Sequence, residues 1–215
     1  MDALRRQTRD GYDVVASAYA QLLPDTRYEA APDLAMIEHF VSGLHTVADR
    51  PRLLDAGCGT GRMIGHLVAL DPTLEIVGAD LSSAMAAEAR TAHPDHRIDV
   101  ADLHDLPHHD DSFDGVMAWY SIIHTPTHAL APVLGELGRV LRTGGLLLIG
   151  YQAGTGERRL DRPYGHDVEM RAFLHHPPSM RSSLESAGFS VDTVLDRGAR
   201  PREAHPQGFV IATRG

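Results

Sequence analysis

Residues 53 to 63 read LLDAGCGTGRM, an apolar run that breaks into glycines at 57, 59 and 61 before a helical pattern begins. Where a buried strand turns into a helix, bare backbone lets a ligand approach closely and aims amide N–H groups at it. The spacing is G-x-G-x-G. A pyrophosphate-binding turn wants its third glycine one residue later, for close packing of helix on strand, and Arg62 stands there instead. The loop therefore suits an amino-acid moiety, with its carboxylate over the amides, better than a dinucleotide. Asp80 closes the next apolar run, about twenty residues after the first glycine, where a carboxylate accepts two hydrogen bonds from ribose hydroxyls. Asp102 ends the third run and puts a second carboxylate at the same edge, in reach of an exocyclic amine. His124 follows the fourth run, at the mouth where a substrate would enter. Its imidazole can take a proton near neutral pH or hold a local hydrogen bond, and the residues leave both open.

The elements that position these groups follow from periodicity. RLLDA, LEIVGAD, RIDVAD, FDGVMAW and LLLIGY read as five strands, separated by crossover-length segments with helical patterns near 62–70, 83–92 and 128–141. Such alternation predicts a parallel, doubly wound α/β sheet. FSVDTVL and GFVIAT, joined by a short link, predict an antiparallel pair at the sheet edge. Residues 1–50 read as helices, with Tyr12, Val15, Tyr19 and Leu22 spaced at three and four, and are expected to form a helical lid over a single domain spanning 1–215. Residues 152–178 show no clear period and are expected to be an insert forming part of an acceptor pocket.

Composition removes several chemistries. The chain has 215 residues and a net charge of −9; all 20 basic residues are Arg, and neither Lys nor Asn occurs. Without Lys there is no internal aldimine, no carbonyl Schiff base and no phosphate-cradling P-loop lysine. No stretch concentrates positive charge enough to neutralise a run of phosphates, so nucleic acid is not the expected partner. Cys58, the single cysteine, makes no internal disulfide or multi-cysteine metal site, and suits a reducing cytoplasm. No 18 apolar residues run together, so no membrane span is expected. His104, His108, His109, Asp110 and Asp111 crowd one segment, but no histidine pair at helical spacing has a carboxylate to complete a site, and no metal is expected.

DAGCGTGRM, GADLSSAM, VADLHDLPHHDDSFDGV and ELGRVLRTGGLLLIGY resemble the successive motifs of class I S-adenosylmethionine-dependent methyltransferases of the small-molecule type. The likeness extends to Tyr12-Asp13…Ala16…Tyr19, similar to that family's lid helix, and to LESAGF. It implies a mostly parallel, seven-stranded Rossmann-like sheet of order 3-2-1-4-5-7-6 with the last strand antiparallel. It further implies S-adenosylmethionine as cofactor, with the methionine part on Gly57, Cys58 and Gly59, the ribose on Asp80, adenine between Leu81, Asp102 and Leu103, and Gly61 and Met85 also at the cofactor. Tyr12 and Tyr19 close over it, and Trp119 and Tyr120 line the methyl-bearing side. Thr143 departs from the family, which usually has Pro before the paired glycines.

Methyl transfer from a sulfonium needs nucleophile and methyl carbon held in line, and a general base is optional. The absent Asn argues against adenine- or glutamine-N methylation and against a metal-assisted catechol type, and the single Cys in the glycine loop argues against cytosine-C5 chemistry. What remains is a small organic acceptor, met by Tyr120 and His124 as the candidate catalytic residues and by Tyr151, Tyr164, His166, Phe173 and His175. Whether O, N or C is methylated, and the oligomeric state, stay open. An NAD-dependent oxidoreductase and a non-catalytic nucleoside-binding protein are the rival classes.

Overall fold

The computed structural model describes residues 2–215. Two helices, α1 (Ala3–Leu22) and α2 (Ala31–Leu44), precede β1 (Arg52–Ala56), α3 (Arg62–Leu70), β2 (Glu75–Asp80), α4 (Ser83–Ala92) and β3 (Arg97–Val100). There follow β4 (Phe113–Trp119), α5 (Leu130–Val140) and β5 (Leu141–Gln152). A hairpin of β6 (Glu157–Asp161) and β7 (Glu169–Phe173) leads to α6 (Pro177–Ser186), β8 (Phe189–Arg197) and β9 (Gln207–Arg214).

Seven strands form one sheet in the order β3-β2-β1-β4-β5-β9-β8. Counted within this sheet alone, that is 3-2-1-4-5-7-6, and only β9 runs antiparallel to its neighbours. β9 slots between β5 and β8, so β8 alone forms that edge. The interior strands are covered on both faces, which is why they read as unbroken apolar runs. β4 is buried along its whole length. Its period of two sends Val116 and Ala118 to one core and Met117 and Trp119 to the other. On the first face α5 buries Leu130, Val133, Leu134 and Leu137, the three-and-four spacing of an amphipathic helix.

Two expectations need correction. The segment 1–50 is not all lid. α2 places Ile37, Phe40 and Leu44, none of them solvent-exposed, in the core with Leu53, Met117 and Leu148, so it is a structural layer of the sheet. Only α1 and the linker after it reach the cavity described below. The segment 152–178 is not without regular structure either: β6 and β7 pair antiparallel, Glu157 opposite Phe173 through Asp161 opposite Glu169. In β6 charged residues fall on both faces and hide the alternation.

α1 is fastened from three sides. Asp2 caps it by accepting from Arg5 N. Asp13 accepts from Ser82 Oγ at 2.6 Å and Ala84 N at 3.1 Å, tying α1 to the start of α4. Val15 and Ala16 pack with Met85 and Met170 in a small cluster separate from the two sheet cores. A Cβ on Gly11 would lie 2.7 Å from Met170 Cγ, so only glycine lets α1 approach β7 this closely.

Candidate active site

The carboxyl ends of β1, β2 and β4, roofed by α1, enclose a cavity of about 700 Å³. This is where open α/β sheets bind ligands, since the helices after neighbouring strands diverge there. Tyr12, Tyr19, Gly57, Cys58, Gly59, Asp80, Leu81, Met85, Asp102, Leu103, Trp119, Tyr120, His124 and Tyr164 all line it, so most of the residues singled out in the sequence meet around one space.

Gly57 and Gly59 take φ of 82° and 56°, a conformation disfavoured for any residue with a Cβ. Space is as restrictive as torsion at Gly57, where a Cβ would fall 2.2 Å from Ser121 Cβ. The amides of this loop are not free, contrary to expectation. Gly57 and Cys58 N–H donate to Ala79 O, Gly61 N–H to Cys58 O, and Gly59 N–H to Asp80 Oδ2 at 2.8 Å. The loop therefore offers bare surface, and polar recognition falls to side chains. Gly61 is outside the lining altogether: a Cβ there would meet His93 at 2.7 Å, so its part is packing α3 against α4.

Asp80 is held by Gly59 N–H on one oxygen and Ser82 N–H, at 2.9 Å, on the other. Each carboxylate oxygen keeps a lone pair for a further donor. Burial raises its carboxyl to about 6, against the pull of those two N–H groups. Asp55 lies under the loop, 1% exposed, with Oδ2 lacking any partner. Burial lifts it to about 7; Arg62 lowers it and Asp80 raises it further. A buried carboxylate oxygen with no donor wants a cation or an N–H. Arg62 stands beside it, paired at 2.5 Å with Glu29 from the linker after α1. Asp102 accepts from Arg5 Nη1 at 2.8 Å and from the His104 N–H and imidazole at 3.0 and 2.9 Å. Burial alone would raise it, but the His104 and Arg5 donors leave it below its ordinary value.

His124 has both ring nitrogens engaged. Nδ1 lies 2.6 Å from Arg171 O, and a carbonyl only accepts, so Nδ1 carries the hydrogen. Nε2 then accepts from the Tyr12 hydroxyl at 2.8 Å. Burial holds the imidazole below its ordinary pKa and the Tyr12 phenol above its own, so both are neutral at pH 7. The histidine thereby joins α1, the turn after β4 and β7. Tyr120 adopts φ of 59°, strained for an aromatic residue, and packs edge-on against Trp119 and Phe209.

Four residues expected on the acceptor lie elsewhere. Tyr151 is fully buried in the opposite core, against the His175 ring at 6.1 Å, because the pleat of β5 sends it to the α5–α6 face and its neighbour Gln152 to the cavity. His175 is likewise 1% exposed and outside the cavity. Phe173 lines only a second, adjoining space of about 600 Å³, beneath the Arg171 guanidinium. His166 follows the turn at Pro163–Gly165 and lines neither. Conversely Arg5, Asp55, Arg62, Gln152, Gln207 and the loop 200–203 line the cavity without having been picked out as ligands. Gln152 was within reach of the sequence, one residue beyond the strand end considered. The loop 200–203 carries no periodic signal. His108, from the histidine-rich segment, is buried against Asp99 and the Phe113 ring rather than solvated.

Residues 53–145 match the family model described as a methyltransferase domain. The chain is 30% identical over 165 residues to methyltransferase GfsG of Streptomyces halstedii, covering 69% of this chain and 58% of that protein. Magnesium protoporphyrin IX methyltransferase from Synechocystis PCC 6803, solved with bound S-adenosylmethionine, superposes with a TM-score of 0.70 at 19% identity, over 100% of this chain and 99% of that one. The [4+2]-cyclase SpnF superposes with a TM-score of 0.71 at 20% identity, over 98% and 96%. The chain spans about half the length of the curated relatives it matches, 49% of one and 58% of another.

The sheet and its superposition on solved methyltransferases give the chain the Rossmann-like methyltransferase fold. Residues 53–145 carry a methyltransferase domain, and the chain is similar in sequence and in fold to S-adenosylmethionine-dependent methyltransferases.

Proposed function

We propose that the chain transfers the methyl group of S-adenosylmethionine to a small organic acceptor bound in the far half of the same cavity. The observation that carries this reading is that the groups suited to each part of the cofactor line one cavity. Asp55 Oδ2, without a partner, suits the ammonium of the methionine moiety, and Arg62 its carboxylate. Asp80 suits the ribose diol, and Leu81, Met85 and Leu103 the adenine faces, with Asp102 near its exocyclic amine. Bound there, the cofactor supplies a methyl group on a sulfonium, displaced in line with a neutral thioether as leaving group.

The chain's own residues supply alignment. Trp119 and Tyr120 are rigid aromatic walls, the first stacked on Phe209 with centroids 5.0 Å apart. α1, with Tyr12, Tyr19 and Tyr164 beneath it, excludes water as a lid. His124 acts first as a fastener. If it also serves as base, the route for the acceptor's proton is the Tyr12 hydroxyl, which takes that proton as its own hydrogen passes to His124 Nε2.

A small acceptor fits a cavity of about 700 Å³ whose lining includes both α1 and the 200–203 loop. The dispersed arginines of an acidic chain favour no nucleic acid, and the buried single thiol of Cys58 suits the cytoplasm. Among the described residues no helix is long and apolar enough to cross a membrane. The reading is tested by following S-adenosylhomocysteine formation by mass spectrometry across a panel of phenols, amines, carboxylic acids and lactams. Turnover that depends on one acceptor is the expected result. Tight cofactor binding with no turnover on any acceptor that itself binds would favour a non-catalytic nucleoside-binding protein.

A further inference from the structure

Gln152 and Gln207 are register partners across β5 and β9, so their side chains leave the sheet on the same face, and both line the cavity. Neither amide is free to turn. Gln152 Oε1 accepts from Arg158 Nη1 at 2.7 Å, and a guanidinium only donates, so the oxygen must face β6 and the NH₂ must face away. Gln207 Nε2 donates to His205 O at 2.7 Å, and a carbonyl only accepts, so here the nitrogen is tied down and Oε1 is left over. Gln207 is 4% exposed, and its Oε1 takes no hydrogen bond among the described residues. The protein thus spends one end of each amide on fixing the other. What remains is one donor and one acceptor, side by side.

We propose that this pair selects an acceptor molecule with a neutral cis-amide edge, a lactam or cyclic imide, whose carbonyl accepts from Gln152 Nε2 and whose N–H donates to Gln207 Oε1. A carboxylate fits the pair poorly, because it has no hydrogen for Gln207 and sets like partial charges against its carbonyl oxygen. A ring lacking either group leaves a half-buried or buried amide end unpaired, which is the stronger source of discrimination. Arg158 is a positioning residue in this arrangement: without it Gln152 can rotate and present either end. The proposal rests on the acceptor lying in the far half of this cavity.

The test uses the full chain saturated with S-adenosylhomocysteine, whose binding is first measured by calorimetry. Absence of that binding would count against the methyltransferase reading itself; everything after it addresses only the glutamine pair. Binding of 2-pyridone, N-methyl-2-pyridone and benzoate is then followed by ligand-observed NMR titration. Roughly tenfold tighter binding of 2-pyridone than of either other probe is expected. Gln152→Met and Gln207→Met should each erase that preference while S-adenosylhomocysteine affinity stays that of the parent, which also reports that the variants fold. Arg158→Met should weaken the preference without touching the cavity wall. Equal binding of 2-pyridone and its N-methyl form, preference for benzoate, no 2-pyridone binding up to 10-millimolar order, or a preference that survives both glutamine changes would overturn the proposal.

Discussion

Around Gly57–Asp80 the cavity wall is backbone clamped to backbone, whereas around Gln152, Gln207 and the 200–203 loop it is side chain clamped to side chain. The first region has four loop amides engaged inside the protein and a carboxylate held by two N–H groups. The second has amides fixed by an arginine and a carbonyl, and a network in which Arg197 bridges Asp33 and Glu203 while Arg200 reaches Glu203 and Tyr28 O. Backbone clamps depend on glycine and tolerate little change in sequence. Side-chain clamps can be rewritten residue by residue. A wall divided this way keeps one end for a constant ligand and the other for a variable one.

The contrast breaks most sharply at Gly57. Gly57→Ala places a Cβ into Ser121 and strains a φ of 82°, and we expect cofactor affinity to fall by at least about a hundredfold in calorimetry, with loss of thermal stability. Wild-type affinity in this variant would mean that the loop can shift at little cost.

Removing residues 2–22 is next in size. Because the α1 cluster is separate from the two sheet cores, the far-UV circular dichroism of the sheet should persist while cofactor binding weakens by about ten- to a hundredfold. A truncated chain that does not fold would make α1 core rather than lid.

At His124 the fastener and the base give different outcomes. As a fastener, His124→Ala should lower cofactor affinity and turnover together, and His124→Gln, which keeps a donor, should restore much of both. As a base, the alanine variant should lower kcat by about 10²–10⁴ with cofactor affinity little altered. Tyr12→Phe separates them further, since only a relay loses its pH dependence on that change.

The smallest effect concerns Asp55. Its folded-state pKa of about 7 lies above the unfolded value of 3.8, so the folded protein holds the proton more tightly. The stability this contributes is full below about pH 4 and is lost as pH rises through about 7. Asp55→Asn should therefore raise the Tm of the ligand-free protein at pH 8 relative to the parent, by about 2–4 °C per kcal/mol gained, with the gain vanishing at pH 4. The same variant should weaken the cofactor, whose ammonium loses its partner. A gain at pH 4 as large as at pH 8 would contradict the assignment of the shift to this carboxylate.

The division also explains what was legible in the sequence. Continuous apolar runs such as β4 and three-and-four spacing such as α5 are direct imprints of two-sided and one-sided burial, so the sheet could be read off. The glycine loop and Asp80 were legible because their backbone geometry admits few residue types. α2 was misread as lid because an amphipathic helix shows which face is buried but not against what. Tyr151 was misplaced by a single position: alternation along β5 sends it and Gln152 to opposite faces, and aromatic character says nothing about parity. In β6 the sequence ERRLD puts charge on both faces, leaving no period to detect. The 200–203 loop reaches the cavity only because β9 is inserted between β5 and β8, a fact of topology rather than of local sequence.

The most direct test of the central claim is calorimetry of the purified chain with S-adenosylmethionine, S-adenosylhomocysteine and NADH, repeated on Asp80→Ala. A cavity built for a nucleoside joined to an amino acid should bind the first two and not the third. Losing Asp80 should cost about 1.5–3 kcal/mol for each desolvated ribose hydrogen bond, a tenfold to hundredfold drop apiece. Comparable binding of NADH, or an Asp80→Ala variant that holds S-adenosylmethionine as tightly as the parent, would contradict it.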